Sequence, residues 1–246
     1  MLQKIKIDVY SIMRNEIKIL PYFLRHYEQF ANRIFVWDDQ SDDGTTEMLV
    51  KHPKVVLLGL DKHGTDDGYF VTSLWPQYRK ISRGCGIDWV ICVDADEFVY
   101  HKNLISVLDE CKRNNKRKIR CAGYTMFASK FPTTSGQIYD EIKIGLGDKW
   151  SSKTILFDPE IDVSFTSGRH QCLHSNSHPT YRDTGIMLLH FRHLGQEYYI
   201  ERDKRNCISM KLPYKERKAH NLPDGTRGTP IWWYAKNKHK ATKVVD

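Results

Sequence analysis

The chain has 246 residues and a formal charge of +8, with 40% apolar and 28% charged residues. This balance excludes a disordered or fibrous chain and leaves ample material for one cored domain, while the basic excess favours anionic partners. No apolar run approaches the ~20 residues of a membrane-crossing helix, the first ten residues lack a signal-peptide core, and six scattered cysteines form no CxxC or zinc-ligand spacing, so a cytoplasmic chain with reduced thiols is expected.

Ile5, Ile7 and Val9 alternate with Lys6 and Asp8 and run on through Tyr10–Met13, predicting a first strand that Arg14-Asn15-Glu16 ends. Leu20, Phe23, Leu24, Tyr27 and Phe30 then recur at helical spacing. Arg33–Trp37 reads as a second strand, followed by the turn residues Asp38-Asp39-Gln40-Ser41 and a helix from Asp43-Gly44-Thr45 through Leu49. Val55–Leu58 predicts a third strand and Val71–Ser82 a helix. Trp89–Val93 is the nearly continuous apolar run of a strand buried on both faces. Alternating strands and helices over the first hundred residues predict βαβ units and an α/β sheet.

The second half is more mixed. Ile105–Cys111 reads as a helix, and Ile119–Phe127, Thr154–Phe157 and Ile186–Phe191 as strands. Beyond Pro213 the charge rises, and Pro223, Gly225, Gly228 and Pro230 break the periodicity.

Two acidic clusters follow strands. Asp94-Ala95-Asp96-Glu97-Phe98 comes directly after the buried strand, where open α/β sheets bind ligands. Three carboxylates in four residues repel one another, and Mg²⁺ or Mn²⁺ would offset that cost while bridging to a bound diphosphate. Asp38-Asp39-Gln40-Ser41-Asp42-Asp43-Gly44-Thr45 ends the second strand and offers acceptors for the N–H and O–H groups of a base and ribose. The same residues also make a sound turn into a helix. Acidic clusters at both strand ends argue against bound nucleic acid.

With Arg14-Asn15-Glu16, Asp38-x-x-Ser41-x-Asp43-Gly44-Thr45 and Val93-Asp94-x-Asp96-Glu97-Phe98 in this order, the chain resembles the family-2-like glycosyltransferases of GT-A fold, in particular the branch whose metal motif runs D-x-D-E-F. The resemblance covers about residues 5–210 and is strongest through Val99. It implies a nucleotide-diphospho-sugar transferase (GT-A) fold, α/β with a mostly parallel central sheet flanked by helices. Residues 1–212 would form that domain, 1–99 its nucleotide-sugar half and 100–212 its acceptor half, with 213–246 a basic tail or linker.

The resemblance further implies transfer of a sugar from a nucleotide-sugar, a UDP-sugar favoured, to a glycan, lipid-linked or protein acceptor, with inversion. Asp38 and Asp39 match positions near base and ribose, with Asn15, Glu16 and Ser41 beside them. Asp94 and Asp96 match the metal pair, and His190 is the expected late metal ligand, with His193 in reserve. Lys153 is a candidate partner for the diphosphate, as are Arg79, Arg169 and Arg192. For the general base the candidates are His170, Asp140, Glu141 and Asp148, with His170 preferred because a glycine-bearing loop exposes it. Trp232, Trp233 and Tyr234 among the lysines of the tail suit peripheral contact with the inner face of a membrane. Two other classes stay open. A nucleotidyltransferase acting on sugar phosphates would usually carry a Gly-rich basic loop where Ser11–Glu16 stands, and a non-catalytic basic binding module leaves the acidic clusters without purpose.

Overall fold

The computed structural model describes residues 5–61, 67–173, 178–209 and 237–246. The chain alternates through β1 (Ile7–Met13), α1 (Leu20–Tyr27), β2 (Arg33–Asp38), α2 (Thr45–Lys51) and β3 (Val55–Leu58). A helical stretch follows, from α3 (Asp67–Tyr69) to α4 (Tyr78–Ile81), before β4 (Trp89–Asp94) and β5 (Glu97–Tyr100). The rest comprises α5 (Leu104–Arg113), β6 (Lys118–Ala128), α6 (Ile138–Glu141), β7 (Ile144–Gly147) and β8 (Lys153–Phe157). The short strands β9 (Ser164–Phe165) and β10 (Cys172–Leu173) pair with each other, and β11 (Met187–Leu194), α7 (Gln196–Ser209) and β12 (Thr242–Lys243) close the order.

The main sheet runs β12-β7-β6-β8-β4-β1-β2-β3, with β11 beside β6 and β5 beside β11. Period-two alternation divides its buried residues between two faces. Ile7 and Val9 of β1, Ile34 and Val36 of β2, and Trp89, Ile91 and Val93 of β4 join α1 in one core. Tyr10, Phe35, Trp37, Val90 and Cys92 join Leu74, Trp75, Tyr78 and Phe165 in the other. Both faces are therefore covered, which is why these strands read as continuous apolar runs. Burying a side chain such as Ile91 or Phe23 contributes about 1.5–3 kcal/mol.

On the second face lies a buried polar network. Asp8 is fully buried, takes two bonds from Arg33 (3.2 and 2.6 Å) and one from Ser82 Oγ at 2.6 Å; Ser82 in turn meets the Tyr10 hydroxyl. Every oxygen of that carboxylate is thus engaged, as a buried charge requires.

The α/β character expected from the sequence is present, but the sheet is mixed rather than mostly parallel. β3, β2, β1 and β4 pair in parallel, as does β11 with β6, whereas β8 is antiparallel to β4 and β6, and β7 to β6. Parallel pairs need long crossovers, which the helices of the first half supply. β8 follows β7 through a short connection, residues 148–152. The turn between β7 and β8 rides over Gly123, where any Cβ would meet the Ser151 backbone at 2.0 Å.

Three further differences have local causes. The helix predicted over Val71–Ser82 is broken into a wide turn (Phe70–Leu74), a tight one (Trp75–Gln77) and α4; Pro76, with no N–H, stands at the break. β5 follows β4 after only Ala95 and Asp96. The end of the segment expected as a basic tail returns to the sheet: β12 pairs with β7 and Val245 is buried. Trp232, Trp233 and Tyr234 lie outside the described residues. No helix among the described residues is long and apolar enough to cross a membrane.

Candidate functional site

The strand register sets Met13 opposite Asp38 and Ile12 opposite Asp94. The loops after β1, β2 and β4 therefore open at one edge of the sheet, Asp38 and Asp94 two strands apart, roughly 10 Å by the usual strand spacing. The first two loops are tied together. Asn15, at φ +54°, donates from its side chain to Asp42 Oδ1 (2.6 Å) and accepts from the Asp42 amide (2.8 Å). Ser41 Oγ accepts the Asn15 amide, Thr45 Oγ1 the Glu16 amide, and Asp43 the amides of Ile17 and Thr45. Asp38 accepts from both Ser41 Oγ and Thr46 Oγ1 (2.6 Å), and the buried Asp39 lies 3.3 Å from Arg14. Asn15, Asp38 and Ser41 thus help lock the first two loops together at this edge.

The third loop carries the acidic motif, and the fold surrounds it with cations. Glu97, fully buried, is 2.6 Å from Lys153 Nζ and 2.9 Å from Arg169 Nη2. The same Arg169 nitrogen lies 2.7 Å from Asp94 Oδ2, with Lys153 Nζ at 4.0 Å from that oxygen. Burial would raise the Glu97 carboxyl, but Lys153 and Arg169 outweigh it and hold it down at about 2. For Arg169 burial works against the charge, yet Asp94 and Glu97 carry it above its usual value. Its guanidinium also stacks 4.6 Å over the Trp75 ring. Gly168 and Arg169 both adopt positive φ, +66° and +56°, a conformation that costs a non-glycine residue of order 1 kcal/mol. Here it turns the Arg169 side chain inward.

Asp96 forms the second half of the cluster. It is 1% exposed, 3.1 Å from His190 Nε2 and 2.5 Å from Arg202 Nη1. β11 brings His190 opposite Glu97, and the Phe191 amide bonds the Asp96 carbonyl. Burial pushes the Asp96 carboxyl up, but Arg202 and then His190 dominate and hold it well below the usual carboxylate range. Arg202 also meets Glu16 at 3.3 Å, and Arg205 approaches Glu16 at 3.7 Å. Burial raises the Glu16 carboxyl in spite of Arg202. Glu16 Oε2, Tyr198 Oη and Arg205 Nε and Nη2 are buried without a hydrogen-bond partner among the described residues.

The repulsion within the acidic motif is therefore balanced by the chain's own cations: Asp94, Asp96, Glu97 and Glu16 face Lys153, Arg169, Arg202 and Arg205. Among the described residues no three His, Cys, Asp or Glu side chains converge to hold a metal unaided. Carboxylate oxygen and imidazole nitrogen nonetheless suit a divalent cation that shares its shell with substrate phosphates, and the Asp94 side chain is 39% exposed. Asp96 and His190 offer such donors side by side, while Asp94 is engaged by Arg169 and Lys153.

His170 lies beside this cluster. Its Nδ1 is 2.9 Å from the Trp150 carbonyl, which only accepts. Nδ1 therefore carries the proton and the neutral ring presents Nε2 as a base. Burial, then Lys153, lower the His170 pKa. A Cβ on Gly168 would stand 2.7 Å from Nε2, so only glycine fits beside this nitrogen without displacing the ring.

The other candidates are placed elsewhere. Asp140 closes a capping box with Gln137, and Glu141 accepts the amides of Thr133 and Thr134. Asp148 holds its own turn through Trp150 N and Ser151 Oγ. His193 is stacked between Phe127 and Tyr199, its pKa lowered to about 3 chiefly by burial. Arg79 pairs with Asp162, and Arg192 lies over Tyr199. Arg202 and Arg205 escaped the sequence reading; their i,i+3 spacing on one helix face was the available signal.

No protein-family model matches the chain, and no curated protein matches it. Among solved structures, the chain resembles S. aureus TarS 1–349 (TM-score 0.43, 14% identity, 83% of this chain, 65% of that one). The same figures hold for TarS 1–349 in complex with UDP-GlcNAc, of which 66% is covered, and for a longer TarS structure, of which 39% is covered. This chain thus spans less than two thirds of each of these chains.

Proposed function

We propose that the chain is a glycosyltransferase that moves a sugar from a nucleotide-sugar, a UDP-sugar favoured, to a glycan, lipid-linked or protein hydroxyl. The observation that carries the reading is the convergence of three motif-bearing loops at one sheet edge, with Arg169, Lys153 and Arg202 set among the carboxylates. A diphosphate leaving group needs positive charge where its own charge grows. Arg169 and Lys153 hold fixed, partly desolvated charge there, and Arg202 and Arg205 approach from α7. Asp94, Asp96 and His190 would hold Mg²⁺ or Mn²⁺, which when bound supplies further positive charge to the diphosphate.

His170 Nε2 takes the proton from the acceptor hydroxyl as that oxygen bonds to the anomeric carbon and the sugar–phosphate bond breaks. The electron pair leaves with the nucleoside diphosphate, and inversion follows from attack on the opposite face. The test is nucleoside diphosphate release from a panel of nucleotide-sugars with candidate acceptors. Release from one nucleotide family, at least ~100-fold slower in Arg169→Gln, supports the reading; equal release by the variant would remove the cluster from the chemistry.

A further inference from the structure

A second polar feature lies two strands away from Asp94. A cavity of about 450 Å³ opens between β6 and the turn that precedes β8, lined by Arg120, Cys121, Ala122, Lys149, Ser152 and Arg182. That volume falls within the usual range of small-ligand sites, about 300–1,000 Å³. The register places Cys121 of β6 opposite Lys153 of β8, and β8 lies against β4. By strand spacing the backbone of Cys121, on the cavity wall, is therefore roughly 10 Å from that of Asp94.

Its charge is one-sided. Arg120 is half-buried, while Arg182 and Lys149 are exposed around it. Arg120 donates to the carbonyls of His170 (3.4 Å) and Lys149 (3.5 Å), long bonds that use two of its five N–H groups. Among the described residues no carboxylate forms an ion pair with Arg120, Arg182 or Lys149. The neighbouring Asp148 spends its oxygens on Trp150 N and Ser151 Oγ. Burial, then the nearness of Arg182, push the Arg120 pKa below its usual value. The fully buried Arg169, by contrast, is answered by Asp94 and Glu97. Two guanidinium groups and an ammonium around an open cavity, without such an answer, match an oxyanion supplied from outside.

We propose that this cavity is an anion subsite that seats a phosphate or carboxylate group of the acceptor. The anion site stands on the cavity itself, and its acceptor-side role rests on the transferase reading. The two sites share structure: Lys153 follows Ser152, and Arg169 precedes the His170 whose carbonyl Arg120 holds. An acceptor anchored here would carry its hydroxyl past His170 toward the sugar.

The test is calorimetric titration of the whole chain at low salt with inorganic phosphate and, separately, with glucuronate, each after saturation with UDP. Wild type should bind at least one of the two; phosphate alone marks a phosphorylated acceptor and glucuronate alone a uronic one. Arg182→Gln should weaken binding at least ~5-fold and Arg120→Gln more, with UDP affinity unchanged. If Arg120→Gln does not fold, Arg182→Gln at its exposed position decides the matter. Absence of binding by both anions, or equal binding in the variants, overturns the proposal. Failure of UDP to bind while phosphate still requires Arg182 would remove the transferase reading and leave the anion site standing.

Discussion

Arg202 of α7 places Nη1 2.5 Å from Asp96 Oδ2, with Glu16 on its other side at 3.3 Å. One guanidinium thus joins the acidic motif after β4 to the loop after β1. Removing it leaves Asp96 with His190 alone and Glu16 with the more distant Arg205, and breaking a buried pair typically costs about 3–5 kcal/mol. Arg202→Gln should lose stability of that order in urea unfolding, and Asp96→Asn should restore part of the loss in the double variant. Additive losses would show that the pair is not coupled.

The same contact should limit the affinity of Asp96 for a metal. Because Arg202 and His190 already hold Asp96, Mn²⁺ alone should bind wild type weakly, and nucleoside diphosphate should tighten it at least ~10-fold, which is about 1.4 kcal/mol of coupling. Arg202→Gln should bind Mn²⁺ alone more tightly than wild type by water-proton relaxation. Tight binding to wild type without nucleotide would contradict this account of Asp96.

His170→Gln should bind donor as wild type does and transfer about 10²–10⁴-fold more slowly. Since the His170 pKa is lowered, the acid limb of the rate profile should fall below the ordinary histidine value of about 6.5. Gly168→Ala, strained at φ +66° and crowding Nε2, should reproduce much of the defect. Full transfer by His170→Gln would show that another group takes the proton.

His26 predicts a pH dependence of folding. It is buried between the Val99 carbonyl (2.9 Å) and the Tyr139 hydroxyl, and burial lowers its pKa to about 4. Below pH 6.5 the unfolded chain takes up a proton that the folded chain refuses until about pH 4. Stability should therefore fall as pH drops through that window, by about 3 kcal/mol from this residue. Glu97, held at about 2, adds its loss only below the ordinary carboxylate range. A flat urea midpoint between pH 7 and 4.5 would contradict this role for His26.

The parallel half of the fold was legible because burial on both faces leaves a strong apolar signal, as in Trp89–Val93 and Arg33–Trp37. The motif loops were legible as well: β4 ends at Asp94 and β2 at Asp38, as the residues suggested. The partners of the acidic motif were harder to read. Lys153 opens a strand and resembles a solvated lysine, yet it is buried against Glu97. Arg169 needs the left-handed turn at Gly168 to point inward, a property of the backbone rather than of composition. Arg202 and Arg205 sit on α7, whose polar sequence hides which face meets Glu16. Asp140 and Glu141 show the converse: acidic residues that cap a short helix and its preceding loop look in sequence like candidates for catalysis.

We propose that the Asp94–Asp96–Glu97 loop and its cations form a nucleotide-sugar site. Its most direct test is a calorimetric titration of UDP and UDP-sugars with Mn²⁺ into wild type and Arg169→Gln, both shown to be folded. Wild type should bind, and the affinity should weaken at least ~10-fold in the variant, at least about 1.4 kcal/mol. No binding by the folded wild type, or equal affinity in both proteins, would contradict the proposal.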